Sequence, residues 1–127
     1  MRRWILCGVF FAAVVACGGS EERRIRAYFD MPEGTSVDTE SIRAAVLRLF
    51  PPGTPAPEVA RTLRENGVGR DGVSSYFPPD RDGHAGIRVE FDPYEPGWVK
   101  RSFGVSMRFD SGLLTSEVEA REWWTGL

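Results

Sequence analysis

The chain is poor in the side chains on which most catalysis and metal binding depend. Its 127 residues include one histidine and two cysteines. A catalytic nucleophile needs a neighbouring base and a group that orients the base. The lone histidine, His84, lies in Asp80-Arg81-Asp82-Gly83-His84 with no serine or cysteine motif beside it. Alternating carboxylates can converge on a cation, but a calcium loop needs further oxygen ligands and a distal acid at fixed spacing. Those are missing, so the segment reads as a solvated turn and no metal is expected. No glycine-rich phosphate cradle occurs either. Glu90 with Glu117 or Glu119 is the one carboxylate pairing a sheet could offer as acid and base, and cross-strand charge on a wet face accounts for it more simply. The expectation is a non-catalytic protein without cofactor. Nor is there an excess of positive charge: 16 basic residues stand against 18 acidic ones, a net charge of −2. Phosphate backbones are bound by basic faces, which argues against nucleic acid as a partner. Fifteen of the basic residues are arginine, which reads as coding bias from a GC-rich genome.

What is present begins with an address. Met1-Arg2-Arg3 is a short basic start, the apolar run Trp4 to Ala16 follows, and Cys17-Gly18-Gly19-Ser20 closes it. A basic start, an apolar stretch too short for a comfortable membrane span and a small residue at the cut mark a secretory signal peptide over 1–16. The ending Val14-Val15-Ala16-Cys17 resembles the bacterial lipobox. That resemblance implies a mature chain starting at an acylated Cys17, held to a membrane by several acyl chains at about 0.8 kcal/mol per buried CH₂. A plain secretory signal or a single membrane anchor is the alternative. Gly18 is not an aspartate, which in enteric-type sorting implies an outer-membrane anchor facing the periplasm ahead of retention at the inner membrane. Cys7 leaves with the leader and Cys17 carries lipid, so no thiol remains for a disulfide. Removing Arg2 and Arg3 leaves 14 basic residues against 18 acidic ones and a net charge of −4 over 111 residues, enough for one domain with one core.

Residues 17–36 read as a lipidated tether, in which Ile25-Arg26-Ala27-Tyr28-Phe29 alternates weakly and fits a short edge strand ended by Pro32-Glu33-Gly34. The domain proper is expected over 37–127. Ile42, Ala45, Val46, Leu49 and Phe50 form one apolar stripe at helical spacing, with Asp38 as N-cap, Val37 stapled to Ile42, and Arg43 and Arg48 facing water. Pro51 and Pro52 stop that helix. Thr54 is placed to cap the N–H of Ala56 at the start of a second helix, Pro55 to Asn66, whose inward residues are Val59, Ala60 and Leu63. Asn66-Gly67 forms its C-cap, with Val68 in the accompanying contact. Beyond Gly67 the period becomes strand-like. Gly72 to Phe77 is a first strand or an approach to one. Gly86 to Asp92 alternates Ile87, Val89 and Phe91 against Arg88 and Glu90. Trp98 to Asp110 alternates Phe103, Val105, Met107 and Phe109 against Ser102, Gly104, Ser106 and Arg108. Ser111-Gly112 turns the chain into a last strand, Leu113 to Arg121, and Glu122 to Leu127 is a tail. The predicted class is α+β, with two N-terminal helices packed on one face of a three- to four-stranded antiparallel meander.

Gly53-Thr54-Pro55 with Glu58-Val59, the alternating Phe103–Phe109 strand and the hairpin Phe109-Asp110-Ser111-Gly112-Leu113-Leu114 together resemble the SmpA/OmlA (BamE-like) family of small outer-membrane lipoproteins, and also the β-lactamase-inhibitor-protein fold. Leu63-Arg64-Glu65-Asn66-Gly67-Val68 departs from the family's usual Leu-Gly-x-Pro helix ending, and no functional residue transfers by motif. The resemblance implies an assembly-helper or interaction protein of the envelope, with envelope proteins as partners. The alternative is an inhibitor or ligand-binding module that uses the polar sheet face of Arg88, Glu90 and Arg108. Tyr76, Phe77, Tyr94, Trp98, Trp123 and Trp124 lie outside the alternating core set. Of these, Trp98, Trp123 and Trp124 are the candidate partner anchors; the competing expectation has Trp123 and Trp124 folding back as extra core.

Overall fold

A computed structural model describes residues 20–90 and 99–126. The expected leader 1–16, Cys17, Phe91, Tyr94 and Trp98 lie outside them, as do the side chains of Trp124 and its two successors. Among the described residues, three helices, α1 (Ser20–Tyr28), α2 (Thr39–Leu49) and α3 (Ala56–Glu65), precede four strands, β1 (Ser74–Phe77), β2 (His84–Glu90), β3 (Val99–Asp110) and β4 (Leu113–Gly126). The strands form one antiparallel sheet in the order β1-β2-β3-β4. The fold is α+β.

The expected edge strand at Ile25–Phe29 is instead helical as far as Tyr28, and α1 occupies nine of the residues read as tether. Ile25, Tyr28 and Phe29 sit at i, i+3 and i+4, and all three are buried; Glu22 and Arg26 pair one turn apart at 3.1 Å. Helical spacing over so few residues is easily mistaken for weak alternation, and burial of one side decides it.

Asp38 caps α2 by accepting from Ser41 N–H at 2.7 Å, and Ser41 Oγ accepts in return from Asp38 N–H at 2.9 Å. Val37 and Ile42 are both buried. Arg43 and Arg48 are exposed, as expected, and each also reaches a backbone carbonyl: Arg43 Nε donates to Val118 O on β4 at 2.8 Å, and Arg48 Nη2 to Asp30 O at 3.1 Å. Thr54 is not the cap of α3 either. Pro55 holds that position with extended backbone, Thr54 Oγ1 donates to Pro51 O at 2.6 Å, and Ala56 N–H is taken by Gly112 O at 3.0 Å. The tie to the β3–β4 hairpin displaces the local cap, since a buried donor needs only one good acceptor. At the far end, Val68 N–H reaches Leu63 O and Gly67 N–H reaches Arg64 O, with Gly67 in the left-handed region. Both bonds of a Schellman motif are therefore present.

One cluster joins Ile25, Phe29, Ile42, Val46, Phe50, Val59 and Leu63 of the helices to Ile87, Val89, Phe103, Val105, Met107, Phe109, Leu114 and Val118 of the sheet. The β2 and β3 residues in it are those that alternation assigns inward. Two sheet expectations need correction. β4 continues through the supposed tail to Gly126, paired with β3 as far as Val99. Ser102, assigned to the solvent face, is 2% exposed, because Glu90 and Trp123 stand opposite it on the two neighbouring strands.

Candidate functional site

The sheet face that alternation assigns away from this core holds most of the residues singled out from the sequence. Ladder register fixes its rows: Glu90, Ser102 and Trp123; then Ser75, Arg88, Gly104 and Arg121; then Phe77, Gly86, Ser106 and Glu119. Glycine in a strand interior marks a bulge or a close approach, and here two of them, Gly86 and Gly104, stand on adjacent central strands. Each has an aromatic ring over it. A Cβ on Gly104 would stand 2.8 Å from Cζ3 of Trp123, and one on Gly86 would stand 3.9 Å from Cδ2 of Phe77. The rings reach in from the two edge strands and leave a shallow cleft of about 320 Å³, lined also by Ile87, Arg88, Val105, Ser106 and Arg121. Phe77 is 54% exposed and Trp123 36%.

The charges of this face are paired, along their own strands in all but one case, Arg108 with Glu117. Arg88 binds Glu90, Arg121 Nε lies 2.9 Å from Glu119 Oε1, and Arg108 Nε lies 3.4 Å from Asp110 and 3.7 Å from Glu117. The Glu119 carboxylate holds the Arg121 guanidinium above its usual range. Exposed pairs of this kind contribute little to stability; their use is to leave the cleft without an unbalanced charge. Glu90 and Glu119 stand two rows and two strands apart, so the carboxylates do not converge.

Of the sequence-derived candidates, Arg88 and Trp123 therefore line one cleft, and Glu90 stands beside it as the partner of Arg88. Arg108 is four residues from Gly104 along β3, about 13 Å at a strand's rise, and belongs to a separate charge group beside the hairpin. Trp98 and the Trp124 side chain lie outside the described residues. Phe77, Gly86, Gly104 and Arg121 complete the cleft without having been singled out as site residues. The two interior glycines were the available signal.

A second cleft, of about 410 Å³, runs between α3 and β1 and is lined by Ala60, Arg64, Val68, Gly69, Gly72, Ser74, Ser75 and Tyr76. Asp71 anchors the turn above it: its Oδ1 accepts from the N–H groups of Val73 and Ser74 and from Ser74 Oγ, with Arg24 of α1 at 3.8 Å. Burial pushes the Asp71 pKa up, but these hydrogen bonds and Arg24 outweigh it and hold the carboxyl below its usual value. Tyr76 Oη is buried with no hydrogen-bond partner among the described residues, and burial raises its pKa.

In the His84 turn, the Asp80 carboxylate accepts from the N–H groups of His84 and Asp82, with the His84 bond the main cause of its lowered pKa. The first acid of the alternating run thus closes the β1–β2 turn. Among the described residues no three His, Cys, Asp or Glu side chains group as a metal site, and no helix is long and apolar enough to cross a membrane. Family models, curated proteins and solved structures return no match to this chain.

Proposed function

We propose that this chain is a lipid-anchored interaction or assembly-helper module of a bacterial envelope, acting by binding and not by catalysis. The observation that carries the binding role is the pair Phe77 and Trp123, exposed over a two-glycine floor on a face whose charges are already matched. Exposed aromatics beside a concave, locally neutral surface are the composition of protein-binding anchors. The run into Cys17 supports the anchor, and the Gly53–Val59 corner and Phe109–Leu114 hairpin support the SmpA/OmlA (BamE-like) reading. In this reading the helices cover one face of the sheet, and the other is turned to an envelope partner from an outer-membrane anchor.

Two experiments test the reading. Radiolabelled palmitate should enter the wild type and not Cys17→Ser; equal labelling of both overturns the anchor. A pull-down from detergent-solubilised envelope, repeated with Phe77→Ala/Trp123→Ala, should lose its partner in the variant. Barrel-assembly components among the lost proteins support the assembly role. Loss of a secreted hydrolase instead supports an inhibitor on the same face, which Arg88 at the cleft and its partner Glu90 would serve. Identical captures from both proteins overturn the assignment of the face.

A further inference from the structure

The fold treats the two edges of its sheet differently. At the start of β4 the edge is closed: Gly53 N–H donates to Leu114 O, Leu114 N–H donates to Thr54 O, and Arg43 covers Val118 O. β1, the other edge, borders the cleft beside α3. Antiparallel ladders alternate paired and outward-facing residues. Glu90 N–H donates to Val73 O, which puts Val73, Ser75 and Phe77 toward β2 and turns the main-chain groups of Ser74 and Tyr76 to the free edge. Asp71 takes the Ser74 N–H. Ser74 itself is buried, with its hydroxyl on Tyr28, Gly69 and Asp71, so the two Tyr76 groups are the ones offered to an added strand.

We infer that β1 and α3 form a receptor for an extended peptide of a partner protein, added antiparallel to β1 with its C-terminal carboxylate at Arg64. Chain direction sets that polarity. α3 leads through Arg64 into the turn at Gly69 and Gly72, which enters β1 at Ser74. An antiparallel peptide passes Tyr76 first and ends beside Ser74, where that turn and Arg64 meet it. Arg64 is exposed and makes no ion pair among the described residues, unlike Arg61, which pairs with Glu65 at 3.7 Å. An unpaired guanidinium at the end of an open strand edge is complementary to a carboxylate. Strand addition supplies affinity through main-chain bonds, and the flanking helix receives alternate side chains. This site is separate from the aromatic face and does not rest on it.

A random heptapeptide library displayed with free C-termini, selected on the full chain in detergent, tests the inference. Enriched peptides are expected to lose at least tenfold in affinity on C-terminal amidation and against Arg64→Glu, and to bind Phe77→Ala/Trp123→Ala as they bind wild type. N-methylation at alternate residues should abolish binding, and hydrogen exchange should show new protection of the Tyr76 amide. Unchanged circular dichroism of Arg64→Glu separates lost binding from lost folding. No enrichment over bare support overturns the inference, as do peptides indifferent to N-methylation or to Arg64→Glu. A concentration-dependent dimer that closes the β1 edge and excludes peptide also overturns it.

Discussion

Gly83 is the position where one methyl group would do most damage. Its φ is +83°, and a Cβ there would fall 2.2 Å from Phe109 O, beside the bond in which Phe109 N–H donates to Gly83 O at 2.7 Å. Gly34 has nearly the same φ, +86°, with nothing within 4 Å. Gly34→Ala should therefore cost only the left-handed strain, about 1 kcal/mol, and Gly83→Ala about 3 kcal/mol, since it also displaces backbone. Urea unfolding of the purified variants checks the difference; equal losses would show that the β1–β2 turn yields freely around position 83. Tyr76 gives the opposite expectation. Its hydroxyl is buried and unpaired, so Tyr76→Phe should match the wild type or exceed it by up to about 1 kcal/mol. A loss in the same urea assay would mean that the hydroxyl has a partner.

Among the elements, the β3–β4 hairpin carries a local conflict. Ser111 and Gly112 both have positive φ, +53° and +77°, as a two-residue type I′ turn requires. Glycine fits and serine does not, while asparagine tolerates the left-handed region. Ser111→Asn should raise stability by about 0.5 kcal/mol, seen as a higher urea midpoint with unchanged slope. The hairpin was plain in the sequence because alternation over Phe103–Phe109 and a Ser-Gly turn are both short-range signals. The length of β4 was not, since Glu122-Trp123-Trp124 has no alternation of its own and is held as strand by pairing with Arg101–Phe103. α1 was misread for a related reason: five residues are too few to separate a period of 2 from 3.6, and contact with the core decided between them. The Thr54 cap failed because its intended donor, Ala56 N–H, has a nonlocal acceptor in Gly112 O.

Across the whole molecule, Asp71 ties α1, the turn after α3 and β1 into one unit through Arg24, Val73 and Ser74. Its folded pKa lies below the ordinary 3.8, so the folded state binds that proton less tightly than the unfolded chain does. Its contribution is complete above pH 3.8 and is lost as pH falls through the lower folded value. Asp71→Asn should cost about 2 kcal/mol near neutrality. The gap to wild type should narrow below pH 3.8 in thermal melts; a gap constant down to pH 2 would assign the loss to packing and not to charge. Half the candidate site was legible in the same terms. Arg88, Glu90 and Trp123 were found because charge on a strand face and a terminal aromatic are visible residue by residue. Phe77 and the glycine floor became a site only once register set β1 beside β2 and β4 beside β3.

The sequence alone determined the α2 and α3 helices, the inward residues of β2 and β3 and the scarcity of catalytic groups, because each is written in composition or in a period shorter than a dozen residues. The tertiary structure decided the helix at Ser20–Tyr28, the full reach of β4, the burial of Ser102 and the meeting of Phe77 with Trp123 over two glycines. Those depend on which strands lie side by side and what the core covers, and such contacts join residues tens of positions apart that no local pattern connects.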